Sequence, residues 1–203
     1  MLDISLINGH KVLNTAQTNY SFGSLHRAFR KALRKEAQAV LSAREVLLLG
    51  LGAGSVVSIL HQEMGSHARI TGVEKDPSIL AEAGMHFGLR EGPELHIVCE
   101  DALQFVSDAK GNYDLVIVDL YIGREVPSVF ETPAFWEALS HLVSTSGMLV
   151  FNKLVYDQPT LNQAAQLCSV AGRYFRQVRT TVVRDRWSNH FIIAENPHHV
   201  RNE

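Results

Sequence analysis

The residues of this chain most able to do chemistry stand where apolar runs end. Val46-Leu47-Leu48-Leu49 leads into Gly50-Leu51-Gly52-Ala53-Gly54-Ser55, Arg69-Ile70-Thr71-Gly72-Val73 into Glu74, Leu95-His96-Ile97-Val98-Cys99-Glu100 into Asp101, and Tyr113-Asp114-Leu115-Val116-Ile117-Val118 into Asp119. Four apolar residues followed by alternating glycines predict a buried strand that turns sharply into a helix, leaving bare amides toward whatever fills the turn. Glycine suits that turn because it accepts the required backbone angles and lets a ligand approach where a β-carbon would collide. An acid about 20 residues further on, closing the next strand, can accept hydrogen bonds from both hydroxyls of a ribose. Asp101 can accept from the exocyclic amine of an adenine. The set outlines a nucleoside site. Taken singly, the glycines also fit a plain strand-to-helix loop, Glu74 an ordinary surface carboxylate, and Asp119 a structural acid that holds loop amides.

The spacing and the absent motifs narrow the chemistry. The glycines form G-x-G-x-G, with Ser55 following, rather than the G-x-G-x-x-G of a dinucleotide site. No G-x-S-x-G elbow, Walker loop or H-E-x-x-H occurs, which removes the usual anchors of hydrolases and phosphoryl-transfer enzymes. The ten histidines are scattered, and the adjacent His198 and His199 lie in a polar tail, so no metal site is expected. Cys99 and Cys168 have neither metal nor disulfide spacing and, among apolar neighbours, are expected to be buried free thiols.

The elements that must position these residues follow from the pattern of the 203-residue chain, which is 46% hydrophobic and 20% charged. That balance predicts one soluble globular unit. A net charge of -2 gives no signature of a nucleic-acid or membrane partner, and no leader or membrane span is evident, so a cytoplasmic protein is expected. Residues 1–23 are expected to form an N-terminal hairpin around Asn8-Gly9 and a polar, aromatic loop carrying Gln17 and Tyr20. That loop could wall a pocket or simply pack its aromatics. A helix is predicted over Ser24–Leu41, with Ser24 capping it, Leu25, Phe29, Leu33, Ala37 and Val40 on its apolar face, and Arg27, Arg30, Lys31, Arg34 and Lys35 opposite. Beyond it strands and helices alternate. Strands are predicted at 45–50, 70–74, 95–99, 113–120, 147–152, 177–183 and 190–195. Helices are predicted near 54–64, 77–87, 102–109, 133–142 and 159–171. The connection at residues 184–189 is too short for a crossover, so the last two strands must be antiparallel. The expected fold is α/β: a seven-stranded, mostly parallel sheet with its last strand reversed, over residues 24–196, followed by a polar tail at 197–203.

In that order, the glycine turn, Glu74, Asp101 and Asp119 on successive strand ends, closed by a reversed strand, resemble the Rossmann-like class I S-adenosylmethionine-dependent methyltransferase fold. The hairpin, the loop from Thr15 to Phe22 before a helix, the run Tyr113 to Asp119, the following Pro127 and the strand with Gly147 most resemble the spermidine synthase family. The resemblance implies that Gly50, Gly52 and Gly54 lie against the methionine or propylamine part of S-adenosylmethionine or its decarboxylated form. It further implies that Glu74 holds the ribose and Asp101, with Ala102 beside it, the adenine.

The departures from that family matter more. Its acid inside the glycine turn is replaced by Ala53, the acid three residues after Asp119 by Ile122, and its Gln, Tyr and following His-Glu or Gln-Glu pair before the first helix by Leu13, Phe22 and Gly23-Ser24. An acceptor amine is a cation near neutral pH that must be attracted, desolvated and deprotonated, work that carboxylates do. Losing one buried charged hydrogen bond costs about 1.5–3 kcal/mol. Methyl transfer demands less, because the sulfonium already carries the activated group and the protein mainly aligns it with a nucleophile. The expectation is an S-adenosylmethionine-binding transferase, a methyltransferase on a small-molecule acceptor ahead of an aminopropyltransferase, with a non-catalytic nucleoside-binding module as a third reading. The catalytic candidates are Asp119, itself also counted with the cofactor set, and Tyr121. The acceptor-facing set adds the loop Ile122 to Val129, Gln17, Tyr20 and Asn152. Open edges and the hairpin also make a homodimer conceivable.

Overall fold

The computed structural model describes residues 2–7, 10–15, 23–185 and 187–198, the first two ranges as backbone only. β1 (Leu2–Ile7) and β2 (His10–Thr15) pair antiparallel, with Ile7 opposite His10 and Leu2 opposite Thr15. Asn8 and Gly9, the predicted turn, lie outside the described residues, as do Gln17 and Tyr20.

The predicted long helix is two: α1 (Ser24–Lys35) and α2 (Ala37–Ser42). Glu36 interrupts them, its amide turning back to Leu33 O and its carboxylate taking Arg179 at 2.5 Å, a tertiary contact that a helical pattern does not reveal. Ser24 does not cap α1; Gly23 holds that position and no side chain caps it.

Seven strands then build one sheet: β3 (Glu45–Leu49), β4 (Arg69–Glu74), β5 (Leu95–Cys99), β6 (Tyr113–Val118), β7 (Val143–Val155), β8 (Phe175–Arg184) and β9 (Ser188–Pro197). Their order is β5-β4-β3-β6-β7-β9-β8. β9 inserts between β7 and β8 antiparallel to both, so six strands run one way and the last runs against them. β7 begins earlier than the predicted Gly147 because it bulges. The chain takes five steps from Val143 to Met148 opposite the two steps of β6 from Tyr113 to Leu115, and a β-carbon on Gly147 would come within 2.9 Å of Tyr113 O.

The crossover helices are α3 (Ser55–Ser58), continued by a π-helical turn at Ile59–Glu63, then α4 (Pro77–Phe87), α5 (Ala102–Asp108), α6 (Pro133–Leu142) and α7 (Gln158–Ala171). Short polar residues fix where four of them start: Asp76, Asp101, Thr132 and Asp157 each accept a backbone N–H of the first turn.

Because both faces of the sheet are covered, strands such as β3 read as unbroken apolar runs. Val46 and Leu48 enter the layer with Phe29, Leu33 and Val40 of α1 and α2, while Leu47 and Leu49 enter the layer with Trp136 and Leu139 of α6. Trp136 stacks on Phe151 of β7 with ring centroids 5.2 Å apart. The two cysteines depart from expectation. Both are free, but Cys99 is exposed at the end of edge strand β5 and Cys168 only half-buried. No helix among the described residues is long and apolar enough to cross a membrane.

Candidate active site

A cavity of about 550 Å³ opens at the carboxyl ends of β3 to β6, where the chain leaves β3 toward β4 on one side and returns from β5 to β6 on the other. Such switch points leave a crevice between diverging loops, and this volume is in the range of small-molecule sites. The glycine turn forms its floor. Gly50 and Leu51 both donate to Val73 O at 3.0 Å, which folds the turn back over β4. Gly50 has φ +91°, and a β-carbon there would lie 2.2 Å from Asp119 O, so the turn and the end of β6 can touch only through glycine.

Glu74 is bound into this floor. It is 8% exposed, its Oε2 accepts the Gly52 N–H at 3.1 Å and its Oε1 accepts the Asp76 N–H at 3.1 Å. Burial raises its pKa above the ordinary carboxylate value, against the opposing pull of the Asp76, Gly52 and Lys75 amides. Each oxygen keeps acceptor capacity beyond these bonds, which suits a vicinal diol. Asp101 caps α5 through Leu103 N at 2.8 Å and borders the cavity with Glu100 and the buried Ala102.

The opposite end is held by side chains. Asp119 follows β6, its amide fixed to Leu49 O at 2.8 Å and its Oδ1 accepting from Asn152 Nδ2 at 3.0 Å. Although Asp119 faces the cavity, protein encloses the rest of it. Burial pushes its carboxyl up to about 6, opposed only by the Asn152 hydrogen bond. Asn152 is 1% exposed, and its buried Oδ1 has no hydrogen-bond partner among the described residues. Tyr121 donates its hydroxyl to Asn152 O at 3.0 Å and accepts from Leu154 N at 2.7 Å, tying the chain after β6 to β7. Burial, with Asp119 nearby, raises the Tyr121 pKa well above its usual value. Farther out, Pro127 and Phe130 close one wall; the following Glu131 anchors that wall through an ion pair with buried Lys153 at 2.5 Å. Arg124 lies 4.4 Å over the Trp187 ring, both bordering the cavity, and Asp185 is paired with Arg27 at 3.0 Å.

Of the residues singled out from sequence, Gly50, Gly52, Glu74, Asp101, Ala102, Asp119, Tyr121 and Asn152 border this one cavity. Gly54 does not. It faces Leu89 and a second hollow behind the turn, together with Ala53, which packs on Ile79 and Ala83. Sequence reasoning missed His26, Ser55, Trp187 and Asn189 on the cavity wall. For Trp187 the available signal was a large aromatic in a short polar connection between strands. No group of three histidines, cysteines or acids able to hold a metal ion converges among the described residues.

The strand order, the reversed strand inserted beside β7, and a glycine turn joined to an acid on the next strand define the Rossmann-like class I methyltransferase fold. Human methyltransferase-like protein 13, solved in complex with SAH, superposes with a TM-score of 0.69 at 20% identity, covering 90% of this chain and 85% of that one. No family model matches the chain. In sequence it is 29% identical over 130 residues to the eEF1A lysine and N-terminal methyltransferase homolog of Drosophila melanogaster, which covers 60% of this chain and 19% of that protein. It is also 29% identical over 133 residues to the polyamine aminopropyltransferase of Vibrio vulnificus (strain CMCP6), covering 64% of this chain and 44% of that protein. The chain thus matches less than half the length of either relative. It is similar in sequence to both a protein methyltransferase and an aminopropyltransferase, and in fold to class I S-adenosylmethionine-dependent methyltransferases.

Proposed function

We propose that this chain is an S-adenosylmethionine-dependent methyltransferase acting on a small-molecule acceptor. The observation that carries the proposal is the uneven supply of charge along one cavity. Glu74, Asp76, Glu100 and Asp101 gather at the ends of β4 and β5, while the end of β6 contributes Asp119 alone and follows it with Ile122, an exposed apolar residue. The acid that an aminopropyltransferase carries within the glycine turn is here Ala53, buried away from the cavity.

The residues present fit the cofactor. The Gly50 and Gly52 backbone lies open to the cavity, Glu74 can accept from both ribose hydroxyls, and Asp101 keeps one carboxylate oxygen beyond its cap for an adenine amine. When bound, the cofactor supplies a methyl group already activated by the sulfonium charge. Asp119 then has two tasks: its carboxylate, oriented by Asn152, can bind the acceptor and, above a pH of about 6, take its proton. Tyr121, whose hydroxyl is committed to two backbone groups, acts as a positioning residue. Trp187 and Phe130 wall the transfer end and exclude water. Two free thiols, one of them exposed, suit a reducing cytoplasm.

Titrating the protein calorimetrically with S-adenosylmethionine and with decarboxylated S-adenosylmethionine, and assaying putrescine as acceptor, tests the reading. Tighter binding of S-adenosylmethionine with no spermidine formed is expected. Tighter binding of the decarboxylated form with spermidine produced would establish the aminopropyltransferase alternative, and binding without turnover on any acceptor would leave a nucleoside-binding module.

A further inference from the structure

Arg124 brings a cation to the transfer end of the cavity, where it stands exposed at the rim. A closed turn presents it. Ile122 N donates to Glu125 O at 2.9 Å, Glu125 N donates back to Ile122 O at 3.2 Å, and Gly123 between them has φ +66°. The turn starts directly after Tyr121, whose hydroxyl is tied to β7. The guanidinium carbon lies 4.4 Å over the Trp187 ring. Such a contact orders a long side chain, and it occupies a face of the guanidinium rather than the N–H donors around its edge. The acids nearest in the chain to this pair have other partners: Glu125 accepts from the Tyr156 hydroxyl, and Asp185 pairs with Arg27 at 3.0 Å. Among the described residues no carboxylate forms an ion pair with Arg124. Its charge does not depend on pH, because a guanidinium in a protein keeps its proton.

We propose that the acceptor is a small molecule of net negative charge bearing a carboxylate, and that Arg124, ordered over Trp187, binds this carboxylate and so determines specificity. The proposal rests on the reading of the cavity as a methyl-transfer site. Asp119 is enclosed at the end of β6 while Arg124 is exposed, so the acceptor enters with the atom to be methylated leading and its carboxylate trailing at the rim. Ile122, Pro127 and Phe130 line the same end and suit an apolar body joining the two groups. One guanidinium balances the single charge of a carboxylate and can meet it through two parallel N–H···O bonds, whereas a phosphate dianion would keep a charge uncompensated. A diamine fares the opposite way. Its far ammonium would meet a fixed positive charge instead of an acid, a penalty separate from the acids missing at Ala53 and Ile122.

A small-molecule cell extract split by anion exchange, with labelled methyl supplied from S-adenosylmethionine, tests this on the wild type, Arg124→Gln and Arg124→Lys. Methyl acceptance by the wild type is expected in the retained, anionic fraction, and it should survive treatment of that fraction with phosphatase. In Arg124→Gln the KM for this acceptor should rise about tenfold, the loss expected of one charged hydrogen bond, with kcat changed less. Arg124→Lys, which keeps the charge without the paired donors, should fall between the two. Calorimetric affinity for S-adenosylhomocysteine should be the same in all three. An acceptor that is not retained, an acceptor destroyed by phosphatase, or a KM unaltered in Arg124→Gln would each overturn the proposal while leaving methyl transfer intact. An equal loss of S-adenosylhomocysteine affinity would make Arg124 a structural residue and overturn it as well. If the wild type bound S-adenosylmethionine but methylated neither fraction, the methyltransferase reading itself would fall, and this inference with it.

Discussion

The two ends of the cavity are built by different means. At the β4 end Glu74 rests on amides of Gly52 and Asp76, so its position is set by backbone that is itself hydrogen-bonded to the sheet. At the β6 end Asp119 rests on the side chain of Asn152, and the chain that follows rests on the Tyr121 hydroxyl. A carboxylate held by main chain cannot be repositioned without refolding the turn. One held by a side chain can change with a single substitution. The difference separates an end that is part of the fold from an end that side chains furnish onto it, so the second can change its chemistry while the fold stays as it is.

Substitutions can break or sharpen this contrast. The largest effect is expected where the two ends touch. Gly50→Ala would place a β-carbon 2.2 Å from Asp119 O at a positive φ, so a stability loss of about 3 kcal/mol or more is expected in urea denaturation. Next, Glu74→Ala leaves the Gly52 and Asp76 amides without their acceptor and removes the proposed ribose partner. Affinity for S-adenosylhomocysteine, measured by calorimetry, should fall roughly 10- to 100-fold, the equivalent of about 1.5–3 kcal/mol.

A smaller effect is expected for Asp119→Asn, and it depends on pH. The native carboxyl titrates at about 6 against an ordinary 3.8, so the native state holds a proton that the unfolded chain has already released. That contribution to stability is fully present below about pH 4 and lost as the pH rises through about 6. The Asn variant should therefore unfold at higher urea than wild type above pH 7, by about 1 kcal/mol, with the gap closing toward pH 4. Turnover in the wild type should rise through the same window and be lost in the variant. Smallest is Tyr121→Phe, which removes the donor to Asn152 O and the acceptor of Leu154 N. A loss of about 1 kcal/mol in stability, with methyl transfer largely retained, would separate positioning from chemistry.

The same contrast decides what the sequence discloses. The floor is local: β3, the turn and Glu74 lie within 30 consecutive positions, and an apolar run ending in glycines or an acid identifies them. Strand types and the reversed last strand follow equally from short-range pattern and connection length. What escapes is held by distant partners. The break at Glu36 depends on Arg179, and the bulge before Met148 on Tyr113 O beneath Gly147. His26 enters the cavity because α1 crosses to Ser55 and Glu63, although its position next to Leu25 looks like an ordinary helical boundary. Gly54 shows the converse: it belongs to the motif but lies against Leu89 and borders the second hollow rather than the main cavity. Cys99 sits in an apolar run, yet β5 is an edge strand, and its last residue is open to solvent.

The account is tested most directly by the by-product formed when the protein is given equal amounts of S-adenosylmethionine and its decarboxylated form, with a small-molecule cell extract as the source of acceptors. Mass spectrometry distinguishes S-adenosylhomocysteine, left by methyl transfer, from 5′-methylthioadenosine, left by aminopropyl transfer. S-adenosylhomocysteine is expected to accumulate in the presence of wild type and not of Asp119→Asn. Accumulation of 5′-methylthioadenosine in its place would contradict the account.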